Sequence, residues 1–305
     1  MLKYMLRRCV EMAGAMLVMS LLVFMLGRAL GDPVSLLLSD YATAEDRALL
    51  TQELGLDKPL AVQYLTFLSK ALRGDLGRSI SADRQPVVDS VMRRLPASLQ
   101  LAAAALLVSL LVGIPLGILA ALRYDSWIDH LVRGIALVGQ SVPVFWLGIV
   151  LMFIFSVLLG WLPTSGYGQL RNIVLPAATM SLFSIAAVTR LTRNSMREAL
   201  DSDYVRLARI KGLAESRVIW QHALSNSLVP VLTFMGTFFA TMITGAVVIE
   251  TVFGWPGIGR LAFEAILARD FPLMQAVVLV MTALFMSANL AVDVLQAWLD
   301  PRVRL

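Results

Sequence analysis

The chain has 305 residues, of which 58% are hydrophobic and only 15% charged, with a mean hydropathy of +0.76 and a formal net charge of +5. That is too apolar for an ordinary soluble domain of this length, so the partner is a lipid bilayer, and the positive balance speaks to topology rather than to nucleic acid. The single cysteine, Cys9, excludes an intramolecular disulfide and any Cys-based metal site or redox pair.

Lys3, Arg7 and Arg8 precede an apolar run over residues 12–30, interrupted only by Arg28, whose long stem lets its charge reach the far interface. This is a transmembrane helix; the run is too long for a signal-peptide core and lacks a small-x-small exit. Residues 31–94 then read as a small helical lobe with charges of both signs. Thr43 and Asp46 form a capping-box pattern with Gly55 closing that helix, and Pro59 opens a second piece ended by Gly74 and Gly77. Residues 86–94 make a third. No carboxylate or histidine pair here has catalytic spacing, so the lobe reads as a cap over the membrane core.

Residues 95–122 are uncharged and form the second span, with Gly113 and Gly117 as a small-xxx-small face and Pro115 between them. Arg123, Asp125, Asp129, His130 and Arg133 make a short polar turn. Residues 134–162 carry no charge over a length greater than the roughly 20 residues a crossing needs, so this third span must tilt or bend. Gln140, Ser141 and Pro143 lie inside it. A proline and a polar pair in hydrocarbon are tolerated where they line a cavity or face other helices, which makes them candidates for the wall of a translocation path. Trp161, Pro163 and Tyr167 suit the outer interface. Residues 173–189 are the fourth span, held at the inner surface by Arg190, Arg193 and Arg197.

The interval 203–228, which overlaps a cytoplasmic loop over residues 195–227, reads as two short helices broken at Gly212. Tyr204, Leu207 and Ala208 are at helical spacing in the first; Val218, Ile219, His222 and Ala223 give the second a one-sided stripe. Residues 228–249 are the fifth span, where Thr237 and Thr241 offer a polar face to a partner helix or a path. ETVFGWPGIGRL, from Glu250, is too rich in Gly, Pro and aromatics to be helical throughout. Residues 274–292 are the sixth span. Segments on the N-terminal side carry fourteen Lys and Arg against three in the two short connections opposite, so both termini are placed in the cytoplasm.

The loop resembles the "EAA" loop of ABC-importer permeases: Leu207 and Ala208 take the small-residue cluster, Gly212 the glycine, and His222, Ala223 and Leu224 the apolar end, while the Glu and Pro of the general pattern are absent. YVRLARIKGL, the ExxFxWPGxGxL-like run at Glu250, GDP at residues 31–33, LGLDKPL at residues 54–60, GDLGRS at residues 74–79 and the terminal DPRVRL are similar to the dipeptide, oligopeptide and nickel branch of that family. The resemblance implies an all-α polytopic membrane protein with the type I ABC-importer permease fold. Its six transmembrane helices carry a small helical extracytoplasmic lobe between helices 1 and 2. The corresponding divisions are residues 1–30, 31–94 and 95–305.

The resemblance also implies roles. Tyr204, Arg206, Leu207, Ala208, Lys211, Gly212, Leu213, His222, Ala223 and Leu224 would couple to an ATPase subunit, and Phe253, Trp255, Pro256, Gly257 and Gly259 would form an outer loop touching a binding protein. The implied partners are a second homologous permease subunit, two ATP-binding subunits and an extracytoplasmic solute-binding protein in a bacterial cytoplasmic membrane. None of the four lysines follows a glycine, so no Gly-Lys-Ser/Thr phosphate loop exists here. ATP and Mg would therefore sit on partner chains, with no cofactor and no enzymatic step on this one. A peptide-class solute is the first expectation and nickel or a metal-chelator complex the alternative. A secondary carrier without ATP, or a scaffold without a path, stands as a rival from another class.

Overall fold

A computed structural model describes residues 2–29, 34, 43–53, 55–80 and 84–299. The GDP motif, Leu54 and the terminal DPRVRL lie outside the described residues. Five helices are long and apolar enough to cross a membrane: Met5–Ala29, Val87–Leu122, Leu170–Leu200, Glu215–Gly245 and Phe271–Val294. A bent pair, Trp127–Ser141 and Val144–Leu158, turns through 103°. Among the described residues the chain is mostly helical, with one isolated bridge between Arg78 and Pro86.

The chain divides into two compact units. The first comprises residues 1–96 and 256–287, so the expected lobe at residues 31–94 is packed with a segment far away in sequence. Val87 and Val91, one turn apart, are fully buried with Ile258, Leu261, Ala265, Leu273, Ala276 and Val277. That contact explains a departure from expectation: residues 86–94 are no separate helix but the first turns of the 36-residue helix Val87–Leu122. At 1.5 Å per residue it is about 54 Å long, well beyond a hydrocarbon core of about 30 Å, so several turns stand clear of the bilayer. Asp270, fully buried, caps the last span by accepting from the Leu273 amide at 3.1 Å. It also accepts from the Ile80 amide at 3.1 Å and from the Ser79 hydroxyl. Thr43 and Asp46 form the expected reciprocal box, with the Thr43 amide 2.9 Å from an Asp46 carboxylate oxygen and the Asp46 amide 3.2 Å from the Thr43 hydroxyl.

The second unit comprises residues 97–255 and 288–305. Helices Val87–Leu122 and Leu170–Leu200 meet here through small residues in a constant register. Ser109 and Ser184 hydroxyls are 2.6 Å apart; a methyl group at Gly113 would lie 2.7 Å from Val188, and one at Gly117 would lie 2.5 Å from Thr192. Because residue numbers rise together along both helices, the two run parallel. The chain between them must return across the same thickness, and the bent pair does so, giving six crossings. Its bend falls at Val142 and Pro143: the ring restricts the preceding residue to an extended conformation, and Val142 has φ −83° and ψ 129°. The Asp129 carboxylate, fully buried, accepts from Arg193 Nε at 2.6 Å and Nη2 at 2.7 Å, pinning the start of the bent pair to the end of helix Leu170–Leu200. Tyr124 lies under the Arg197 guanidinium at 3.3 Å.

Candidate functional site: the hairpin at residues 203–227

The segment after helix Leu170–Leu200 folds as two helical arms. The first is Asp203–Ile210; the second is Glu215–Arg217, which loosens into a π-helical turn over Val218–Ala223 before span five continues as Leu224–Gly245. Gly212 joins them at φ +76°, the left-handed region where a side chain is strained. Its amide donates to the Arg209 carbonyl at 2.9 Å and the Leu213 amide to the Ala208 carbonyl at 3.3 Å, the paired bonds of a Schellman ending. Arg209 then spans the turn to Glu215, with Nη2 at 2.7 Å and Nε at 3.2 Å from its two oxygens. This hydrogen bond holds the Arg209 guanidinium above its ordinary pKa.

The hairpin core consists of Val205, Ala208, Val218 and Ala223 packed with Ala121, Met196 and Ala199, all buried. Alanine on all four of the contacting elements lets the backbones approach closely, so the hairpin is seated on the ends of two spans. Ser227 adds a hydroxyl contact to the Met196 sulfur at 3.3 Å. Within the first arm the inward face is thus Val205 and Ala208. Tyr204 and Leu207, expected beside Ala208 on one face, point the other way. A helix of eight residues buries only the positions three apart that meet the core. Tyr204, Leu207, Ile210 and Trp220 are 42%, 52%, 81% and 59% exposed. Arg206 and Lys211 are exposed, while Leu213, His222 and Leu224 are half-buried.

The path candidates separate into two places. Ser141 and Pro143 are exposed at the bend and Gln140 is half-buried beside them; Thr237 and Thr241 are exposed one turn apart on span five. Ser141 bonds to the Leu137 carbonyl at 2.9 Å, which keeps its hydroxyl satisfied within its own helix. The Trp-Pro-Gly motif is turned inward. Phe253 and Trp255 are almost wholly buried, Phe253 lies against Gly148, and Trp255 donates its indole N–H to the Ala97 carbonyl at 2.8 Å. Gly257 and Gly259 are buried and Pro256 half-buried. The Glu250 carboxylate, fully buried, accepts from Ser98 at 2.6 Å, so the motif's acid is part of the same internal network. The presentation of these aromatic rings to a binding protein is therefore not what the fold provides. Sequence reasoning also missed the Asp129–Arg193 pair, whose members sit 64 residues apart, and the exposed Ile210 and Trp220.

Comparison with known proteins follows the same lines. Residues 113–305 match the family described as binding-protein-dependent transport system inner membrane component, and residues 1–102 match the N-terminal portion of such components. A Brucella abortus (strain 2308) protein named as a peptide transport system permease is 44% identical over 308 residues, covering 98% of both chains. A glutathione transport system permease protein of Salmonella paratyphi A is 40% identical, covering 100% of this chain and 99% of its own. Among solved structures, the inward-facing MetNI methionine ABC transporter aligns with a TM-score of 0.59 at 14% identity, covering 69% of this chain and 96% of that one, a likeness of fold. The chain therefore belongs to the family of binding-protein-dependent transport system inner membrane components and is a multi-pass permease subunit of an ABC importer.

Proposed function

We propose that the chain forms half of the translocation path for a peptide-class solute and that its 203–227 hairpin is the lever by which an ATP-binding subunit moves it. The observation that carries this reading is the hairpin itself: a rigid, capped turn seated on the ends of two spans, with Tyr204, Leu207, Ile210 and Trp220 turned outward. Large apolar side chains on a short basic segment, beyond the reach of the bilayer core, fit a protein partner. Closure of that partner pushes on Val205 and Val218 and is passed to Met196 and Ala121 as a rigid-body shift of packed helices.

The remaining parts are proposed on the family's terms. A second related permease supplies the other half of the path, two ATP-binding subunits hold ATP and Mg, and an extracytoplasmic binding protein delivers the solute in a bacterial cytoplasmic membrane. Both termini and the hairpin face the cytoplasm. The peptide and glutathione names of the relatives favour a peptide-class solute over nickel. The described residues also bring together no group of three His, Cys, Asp or Glu suited to a metal ion. Replacement of Ile210 by Glu tests the lever. Uptake is expected to fall at least tenfold while the variant still enters the membrane, with ATP hydrolysis no longer stimulated by the loaded binding protein. Unchanged coupled uptake would remove the hairpin from its role.

A further inference from the structure

A helix in a lobe surrounded by water turns its leucines toward the chain and its polar side chains away; helix Leu60–Leu72 is arranged the other way round. Two stripes of equal spacing run along it, Gln63, Thr66 and Lys70 against Leu65, Leu68 and Leu72. They are offset by two residues, about 200° at 3.6 residues per turn, and so occupy opposite flanks. The polar flank lines a cavity together with Gly27 and Arg28 at the end of span one and Pro272 at the start of the last span. On the leucine flank Leu65 and Leu72 are 62% and 81% exposed and Leu68 is half-buried. Apolar as it is, the helix buries none of its 13 residues.

Depth decides what surrounds that flank. A third side of the helix packs on span one, with the Tyr64 and Phe67 ring centroids 5.5 and 5.8 Å from that of Phe24. The Tyr64 hydroxyl lies 2.9 Å from that of Ser20 and donates to the Leu17 carbonyl at 3.3 Å. Arg28, in the last turn of span one, marks the level where hydrocarbon ends. At 1.5 Å per residue Phe24 is about 6 Å below it, Ser20 about 12 Å and Leu17 about 17 Å, inside a core about 30 Å thick. The ring contacts at Phe24 thus set the helix at the depth of interfacial helices, about 5–10 Å into the boundary between headgroups and acyl chains. With a length of about 20 Å it is too short to cross and lies along the membrane.

We infer that helix Leu60–Leu72 is a membrane-interface helix whose leucine flank is covered by acyl chains of the leaflet in which span one ends. Water on that flank would leave two leucines hydrated at a level where span one is in hydrocarbon, and a protein partner would have to enter the bilayer to reach them. The lobe expected at residues 31–94 is thereby held against the bilayer by this chain itself, in place of standing in water as a separate cap.

The test uses the full importer assembly in phosphatidylcholine nanodiscs, its permease carrying Cys9→Ser and one nitroxide-labelled cysteine, with the signal of the Cys9→Ser parent subtracted. Collision of the label with oxygen, which concentrates among acyl chains, is compared with collision with a water-soluble nickel chelate. At Leu65→Cys and Leu72→Cys oxygen is expected to exceed the chelate several-fold, and at Lys70→Cys the ratio is expected to invert. Chelate access at both leucine positions equal to that at Lys70→Cys would place the flank in water, and exclusion of both reagents would place it under protein; either result overturns the inference. The unsubstituted assembly gives a second reading that no folding defect confounds. In phosphatidylcholine with a diazirine on its acyl chain, photolysis and mass spectrometry of the digested permease are expected to find lipid adducts on Leu65, Leu68 or Leu72. Adducts on the spans with none within residues 60–72 would overturn it as well.

Discussion

At Gly212 the backbone conformation can be separated from space. A Cβ there would meet nothing within 4 Å, so the cost of any substitution is the left-handed φ of +76° alone. Gly212→Ala is expected to destabilise the hairpin by about 1–2 kcal/mol, and Gly212→Asn by less because asparagine visits that region more readily. Hydrogen exchange of the amides of Gly212 and Leu213, which close the turn, measures the order wild type, Asn, Ala. Arg193 presents the opposite situation, in which geometry is ordinary and charge decides. Its bidentate contact with the fully buried Asp129 means that Arg193→Ala leaves a buried carboxylate with the Arg133 guanidinium, 3.6 Å away, and the Asp125 amide at 3.1 Å for compensation. A loss of about 3–5 kcal/mol in stability is expected, against a smaller loss for the double variant Asp129→Leu with Arg193→Met, which removes both charges together. Thermal melting of the detergent-solubilised assembly checks the sign of that difference. Neither residue was legible as a pair, because an ion pair between distant segments has no period or spacing in sequence.

Elements that depend on local chemistry were the readable ones. The Thr43 and Asp46 box, the glycine stops at Gly55, Gly74 and Gly77, and the proline entry to helix Leu60–Leu72 all follow from backbone needs that a few adjacent residues meet. The Asp46 carboxyl is held below its ordinary value by the Thr43 hydroxyl and amide. Because its folded pKa is depressed, its contribution is complete above the unfolded value of 3.8 and fades as pH falls through the lower folded one. Thr43→Ala is expected to make exchange near Ala44–Glu53 faster at pH 6 and to abolish its acceleration below pH 4. What sequence did not disclose is where a helix goes on despite a proline: Val87–Leu122 runs through Pro96 because Val87 and Val91 are buried in a core completed by residues about 170 positions later. The small-residue seam was legible as a motif, though not its partner. Gly117→Val would drive side-chain atoms into the Thr192 side chain and the Thr189 carbonyl, the latter 2.7 Å from an ideal Cβ. Overpacking of that kind costs about 1–3 kcal/mol, whereas Gly134→Ala, which meets nothing within 4 Å, is expected to be neutral or mildly stabilising. Assembly yield and melting temperature distinguish the two.

For the whole molecule the open step is sidedness, and the fold narrows it to one choice. Ser109, Gly113 and Gly117 face Ser184, Val188 and Thr192 in order, so helices Val87–Leu122 and Leu170–Leu200 cross in the same direction. The Asp129–Arg193 pair places the start of the bent pair beside the end of the later helix, as it must be if the pair returns across the bilayer. The hairpin therefore lies on the face where Val87–Leu122 ends, and two crossings from the N-terminus put it on the N-terminal side. If the bent pair were only a re-entrant loop, the same hairpin would emerge opposite. The proposal that this face is cytoplasmic rests on the fourteen Lys and Arg that flank the spans on the N-terminal side. A single native cysteine makes this measurable with one background substitution. In a Cys9→Ser chain, Lys211→Cys is expected to react with a membrane-impermeant maleimide in inverted vesicles and to stay unreacted in intact spheroplasts. Trp161→Cys, exposed beyond the bent pair, is expected to show the reverse pattern. The exchanged pattern, with Lys211→Cys labelled in spheroplasts and Trp161→Cys only in inverted vesicles, would mean that the bent pair does not cross, and with it the parallel seam and the lever built on it would lose their geometry.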